Sequence, residues 1–387
     1  VIQDWKAFFW LNFFVFFCSI LFFAQAMSAP AENPNGVARH LGNPYLKRSP
    51  KALLLGDAFV GRADDEFTLF YNPAALARHE GLSMYPINVY GGANDIVDDQ
   101  DRFKDIPEGP VAFSERFMNY PVHGNLGGVP GFKIGTFGFS LLYNVDLNAI
   151  LSNPQRPALD LNYKYDQGFV TGFALPLMRQ KNGTNFSLGL GAKYIKRQGI
   201  ADRFPLVGTR LIDVIDDNDN WEDAINSLGK STDKTWGFDV GLEYSNRTSS
   251  SETVVGFSAL DVLTKFELPE GSTGTIPEQL TTYNFGIASK YKLPFFEVGL
   301  SADVAPINTA IPMKEMFHLG LEIGTPFVHL LGGWNASGFS YGAQVNLFLM
   351  KIVGGFYHDK IGYGEMYVRT RRMVVFVSLF DFSFDGW

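Results

Sequence analysis

From about residue 130 onward the chain places apolar side chains at every second position. Across 184–197 the even positions are Thr184, Phe186, Leu188, Leu190, Ala192, Tyr194 and Lys196. The odd positions are Asn185, Ser187, Gly189, Gly191, Lys193, Ile195 and Arg197. Successive side chains of a strand point to opposite faces, so this segment reads as a strand with one greasy face and one small or polar face. The habit recurs. Phe238, Val240 and Leu242 alternate with Asp239, Gly241 and Glu243; Val298, Leu300 and Ala302 with Glu297, Gly299, Ser301 and Asp303. Leu319 and Leu321 face away from Gly320 and Glu322, and Tyr341, Ala343 and Val345 from Gly342 and Gln344.

Strand-like segments are marked near 81–91, 132–146, 159–177, 184–198, 235–245, 252–262, 279–292, 295–305, 315–324, 327–335, 338–348, 350–358 and 371–384. A soluble sandwich also alternates. Here the segments are long enough to cross a bilayer when tilted. Their apolar faces begin or end with Tyr or Trp, as interfacial girdles do. The fold expected is all-β: a transmembrane antiparallel barrel. Barrels of this kind close with an even number of strands, so about 14 are expected, with 12 as the fallback. Lys181-Asn182-Gly183 is a tight-turn sequence between two of them. The last segment, MVVFVSLFDFSFDGW, alternates Phe376, Phe380, Phe382 and Phe384, while the terminal Trp387 falls out of that parity.

Composition sharpens this picture in three places. The chain of 387 residues has 36 Phe and 40 Gly, which suits β-structure with large apolar faces and small lumenal ones. A net charge of −8 argues against nucleic acid as a partner, because phosphate binding needs a basic surface. Cys18 is the only cysteine, which leaves no disulfide framework and no cysteine zinc site. It lies in the apolar run 7–23, which follows Lys6 and ends at Ala24-Gln25-Ala26; residues 1–26 therefore read as a secretory signal peptide.

Ahead of the first alternating segment lies GDAFVGRADDEFTLFYNPAALA, which mixes glycines, a diaspartate and an Asn-Pro-Ala corner with short apolar runs. Gly56, Gly61, Arg62, Asp64, Asp65, Asn72, Pro73 and Ala74 carry this pattern. Asn72-Pro73 makes a turn, and Pro73 suits the first position of a short helix. The segment resembles the N-terminal signature of the FadL-like superfamily of bacterial outer-membrane barrels, which includes FadL-type fatty-acid transporters and PorV-type proteins of type IX secretion. Ala75 stands where that family often has Gly, and Glu66 follows the diaspartate. The resemblance implies that 27–78 form a plug inside a barrel built from 79–387. Arg62, Asp64 and Asp65 would then pair with lumenal charges such as Lys193, Lys290, Glu243 or Glu297.

Other chemistry is sparse. His79-Glu80 opens like a zinc-protease motif, but Ser83 stands where the second His belongs, so no metal and no cofactor is expected. Gly338-Phe339-Ser340-Tyr341-Gly342 matches a nucleophile elbow in letters only, because it falls inside an alternating strand rather than a strand-to-helix turn. No enzyme is expected. The acidic stretches 94–105 and 213–223 lack the register of a calcium loop and read as solvated loops, with a weak Ca²⁺ bridge to surface lipopolysaccharide as the alternative. Lys193, Asp239, Glu243, Glu297, Asp303 and Glu322 are the lumen-facing candidates.

The resemblance implies a Gram-negative outer-membrane protein in contact with lipid, a plugged channel for uptake of small hydrophobic molecules. The alternative is a PorV-like, non-transporting protein that holds or shuttles secreted partner proteins.

Overall fold

A computed structural model describes residues 44–94, 99–105, 107, 110–206, 226–268, 274–309, 311–363 and 366–383. The signal-peptide region, the first part of the plug region, the stretch 213–223, part of 94–105 and Trp387 lie outside these residues.

One antiparallel sheet of 14 strands closes on itself. The strands are β1 (Leu82–Tyr85 continuing as Ile87–Asn94), β2 (Pro121–Gly128 continuing as Gly131–Ile134), β3 (Phe137–Ser152), β4 (Ala158–Arg179), β5 (Thr184–Pro205) and β6 (Ser231–Arg247). There follow β7 (Ser251–Val262), β8 (Thr282–Lys292), β9 (Glu297–Val304), β10 (Phe317–Gly324) and β11 (Val328–Asn335). The last three are β12 (Gly338–Leu347), β13 (Met350–Tyr363) and β14 (Met366–Leu379 continuing as Phe382–Ser383). Each pairs with its sequence neighbours, and β14 returns to β1 through Phe376 opposite Tyr90. Closure leaves no open edge, the condition for strands to cross lipid.

The segment expected at 132–146 is a correction. It joins the end of β2 to the start of β3 across a turn at Gly135, and the strand it hides, 121–128, is the one the alternation missed. That stretch, PVHGNLGG, has too few large apolar residues to show two faces. Pro86 and Pro130, which cannot donate to a ladder, mark the breaks in β1 and β2. The Asn88 side chain repairs this place: its Nδ2 donates to the Tyr85 carbonyl at 3.2 Å and its Oδ1 accepts from Val129 N at 2.7 Å.

The two faces differ sharply in exposure. Leu190, Leu242, Phe238, Leu319 and Leu300 are 37% to 49% exposed on the outside. Lys193, Asp239, Glu243, Asp303 and Glu322 are each 1% exposed on the inside. Apolar outside and charged inside is the arrangement a bilayer selects and an aqueous surface does not. Phe169, Tyr194 and Trp236 form an aromatic cluster on adjacent strands, Phe169 and Tyr194 stacked at 6.0 Å and Trp236 edge-on to Phe169 at 5.8 Å. Among the described residues no helix is long and apolar enough to cross a membrane. The protein is a multi-pass β-barrel of the outer-membrane type.

Wall height is uneven. Strands β4 and β5 have 22 residues each, whereas β9, β10 and β11 have 8.

Candidate functional site: the filled lumen

The lumen is occupied by the chain's own residues 44–78. A short helix, Pro50–Leu54, starts this segment: Ser49 is its N-cap, with Oγ accepting from Ala52 N at 3.3 Å, and Pro50 takes the first turn. The helix stops at Gly56, whose φ of +68° is the left-handed region. A Cβ there would lie 2.6 Å from Trp334 N and 2.7 Å from Leu319 O, so only glycine lets the plug backbone lie against β10 and β11. The Asn-Pro-Ala corner forms the 3₁₀ helix Pro73–Arg78, capped by Asn72 Oδ1 accepting from Ala74 N at 3.0 Å. This corner docks on β5 and β6: Asn72 Nδ2 donates to Leu242 O at 3.4 Å and Ser187 Oγ to Ala74 O at 3.3 Å.

One side of the segment is held by charge. Arg62 NH2 lies 2.5 Å from Glu322 Oε2, and its Nε lies 3.2 Å from Asp64. Lys51 bridges Asp64 at 3.1 Å and Glu322 at 3.5 Å. Arg78 Nε meets Glu243 at 2.8 Å. Asp303 Oδ2 accepts from the backbone N–H groups of Phe59 at 2.5 Å and Val60 at 2.7 Å. Further round the wall, Arg48 reaches Asp359 at 2.7 Å and Lys351 pairs with Glu66. Burial pushes the Asp64 carboxyl up, but Lys51 and Arg62 outweigh it and hold it well below the usual carboxylate range. Asp65 goes the other way: burial raises it, and the Ser49 hydroxyl only partly offsets this.

The other side is held by grease. Phe67 packs against Phe376 and Tyr90 with ring centroids 5.9 Å and 6.0 Å apart. Leu54, Leu69 and Leu76 join the same buried cluster as Leu142, Val170, Val353 and Val374 of β3, β4, β13 and β14. The buried apolar contacts run across β13, β14, β1, β3 and β4, whereas the charged contacts gather on β6, β9 and β10 but also reach β13 through Arg48–Asp359 and Lys351–Glu66 and β2 through Lys133. The mixed character of residues 56–78 matches a wall that offers both kinds of contact.

The charged sequence candidates separate into two groups. Asp303, Glu322 and Glu243 touch the plug. Lys193 does not: it bridges Asp239 at 2.9 Å and Asp261 at 2.6 Å within the wall. Glu297 pairs with Lys290 at 2.8 Å, also without the plug. Of the partners expected for Arg62, Asp64 and Asp65, Glu297 acts on Arg62 and Lys290 on Asp64 through space, while the direct contacts are Glu322, Lys51 and Ser49. Asp65 takes the Ser49 hydroxyl, the Phe67 N–H at 2.8 Å and, through its own carbonyl, Lys133 at 3.2 Å.

Arg197 was not singled out from the sequence, yet it is fully buried. It binds Asp166 through two bonds, 2.6 Å and 2.9 Å, and donates to Pro277 O at 2.7 Å and Gln279 Oε1 at 3.0 Å. Gln279 Nε2 donates in turn to Pro44 O at 2.7 Å, joining the inward-folded stretch 274–281 to the plug. The Lys181-Asn182-Gly183 turn alone would set Gln167 opposite Arg197; a bulge between Pro176 and Met178 shifts the register by one and brings Asp166 there.

Two further groupings carry less. Glu297, Glu322 and His329 come together closely enough to suit a cation, but Lys290, Lys51 and Arg62 already neutralise both carboxylates. Ser340 is buried with no hydrogen-bond partner for Oγ, and His358 Nδ1 is spent on the Phe339 carbonyl at 2.6 Å. Polar cavities flank the plug: one of about 30 Å³ lined by Lys47, Asn144, Asp146, Asn148, Lys164 and Arg372, and one of about 220 Å³ lined by Asp64, Arg78, Glu80, Lys133, Glu252 and Lys290.

No family model matches the chain, and no curated protein matches it. Among solved structures it is similar to the TodX monoaromatic hydrocarbon channel deltaS2 mutant, at TM-score 0.47 and 10% identity over 87% of this chain and 99% of that one. It is also similar to the Ralstonia pickettii toluene transporter TbuX (TM-score 0.40, 8% identity, 87% and 98% covered). A third is the translocator domain of autotransporter NalP from Neisseria meningitidis (TM-score 0.37, 8% identity, 85% and 99% covered).

Proposed function

We propose that the chain is a plugged outer-membrane channel for small hydrophobic molecules, with residues 27–78 as its gate. One observation carries this reading: residues 44–78 cover a buried apolar patch of the wall formed by Leu142, Val170, Val353, Val374 and Phe376. A plug that swings off these side chains while keeping Arg62 on Glu322 would open a greasy path, and must also release Arg48 from Asp359 and Glu66 from Lys351, the charged contacts on β13. Apolar solutes gain from such a wall and ions do not.

The test uses cells producing the protein with Phe67 and Phe376 replaced by Cys in a Cys18→Ser background, joined by a short bismaleimide. Uptake of the fluorescent probe N-phenyl-1-naphthylamine should be fast before cross-linking and fall to the rate of cells lacking the protein afterwards. Equal rates with and without the cross-link would overturn the gate.

A second reading, a PorV-like protein that holds or shuttles secreted partners, is favoured by one feature: Arg48, Lys51, Arg62 and Arg78 each already meet a carboxylate, as suits a plug that never moves. Native mass spectrometry of detergent-purified protein separates the two, with a co-purified protein supporting the second and a co-purified small apolar molecule the first.

A further inference from the structure

The five hairpins β4–β5, β6–β7, β8–β9, β10–β11 and β12–β13 turn at the same rim, because alternate connections of an antiparallel barrel share an end. Their tips are not alike. The β4–β5 tip is Gln180-Lys181-Asn182-Gly183 and the β6–β7 tip is Thr248-Ser249-Ser250. The next three carry phenylalanine: Phe295 is 86% exposed, Phe327 70% and Phe348 93%. They stand on tight turns, closed by Leu293 N to Phe296 O and Thr325 N to Val328 O, each 2.8 Å. Asn346 N donates to Phe327 O, also at 2.8 Å, so the last two hairpins are tied together.

Full exposure of three neighbouring phenylalanines to water would be costly. The strands beneath them explain what covers them. β9, β10 and β11 have 8 residues each. At ~3.4 Å per residue and a tilt of ~40°, eight residues give only about 20 Å of height, against an apolar belt of ~25 Å. Phe295 and Phe327 stand on these strands and add height at their tips; Phe348 stands beside them between β12 and β13, of 10 and 14 residues, its hairpin tied to Phe327 through Asn346. At the ends of β10, β11 and β12 the side chains of Ile323, Val328, Leu330 and Leu347, each more than 40% exposed, carry the apolar surface to these tips, with Lys292 and Thr325 exposed beside it.

We propose that Phe295, Phe327 and Phe348 insert into the lipid of the adjoining leaflet and anchor the short wall there. The occupant is lipid, because the patch adjoins the lipid-facing belt and, at Phe295 and Phe327, supplies height that β9, β10 and β11 lack. The polar tips of β4–β5 and β6–β7, at the foot of longer strands, stay in water. The barrel is thereby fixed in rotation and tilt, its short wall drawn into the membrane on the rim where the plug leads into β1.

Spin labelling tests this on the full-length protein in vesicles of phosphatidylethanolamine and phosphatidylglycerol. In a Cys18→Ser background, nitroxides at Phe295→Cys, Phe327→Cys and Phe348→Cys should show an oxygen-to-nickel-chelate accessibility ratio about tenfold above that at Ser249→Cys, as interfacial burial requires. Ratios at the three sites equal to that at position 249 would overturn the proposal. So would sites that are aqueous in these vesicles yet shielded in native outer-membrane fragments, since a protein would then be the cover.

Discussion

Arg62 of the plug and Glu322 of β10, 260 positions apart in sequence, meet at 2.5 Å with both side chains buried. Only barrel closure brings them together, and the pair ties the plug to the wall. Glu322→Ala leaves Arg62 buried beside Asp64 alone, and breaking a buried pair from one side costs about 3–5 kcal/mol. Plug docking should weaken, read as raised conductance in planar bilayers. Replacing both residues with Met removes the stranded charge, so the double variant should leak less than Glu322→Ala.

Acid should act through Asp64 and not through Asp65. The Asp64 carboxyl is held below its unfolded value, so the stability it adds is present above roughly pH 4 and is lost as pH falls through its lower folded value. Asp65 is raised, so it protonates earlier, and its protonation relieves burial of a charge rather than breaking an anchor. Conductance should therefore stay low from pH 7 to about 5 and rise only below about 4. Asp64→Asn should leak to the same extent across that range.

Gly56→Ala tests the close approach of plug and wall. The substitution must adopt a left-handed conformation and place Cβ 2.6 Å from the Trp334 backbone. Gly61→Ala meets the wall less tightly, with the nearest atoms of Gly286 and Ala288 at 3.0 Å and no left-handed φ. Protease sensitivity of the plug should rise strongly for Gly56→Ala and slightly for Gly61→Ala.

On the outer face, Leu300→Arg or Leu319→Arg puts a charge against lipid and should cost about 2–4 kcal/mol near the midplane, measured by urea unfolding in liposomes. Glu297→Gln faces the lumen near Lys290 and should cost less, since that pair is partly solvated.

What the sequence revealed follows from these two faces. Phe186, Phe238 and Leu300 alternate with Ser187, Asp239 and Ser301 because lipid lies on one side and packed polar lumen on the other, and that contrast survives in a single chain. At 121–128, glycine and asparagine fill both faces and the contrast vanishes. The partners of Arg62, Lys51 and Arg78 were not legible for a different reason. They lie on β10 and β6, and which inward carboxylate faces which plug cation is fixed by shear and closure, not by spacing. Arg197 lay between these cases, since the tight turn aligned its two strands but the bulge between Pro176 and Met178 decided that Asp166, not Gln167, faces it.

The plug itself is tested by removal. If residues up to Ala77 gate the lumen, their deletion should leave a barrel that still inserts, because the ladder from β1 to β14 closes without them. The apolar sector at Leu142, Val170 and Phe376 would then face water, so the shortened protein should unfold at lower urea than the full chain while conducting ions far more freely. Replacing Asp64 and Asp65 together with Ala should give a smaller leak, because Arg62 keeps Glu322 and Arg78 keeps Glu243. If the segment were a tether on the rim, deletion would leave conductance unchanged and added protease would trim it from the full-length protein. Unchanged conductance with ready trimming would remove the gate, and with it the channel reading, leaving the partner-holding alternative.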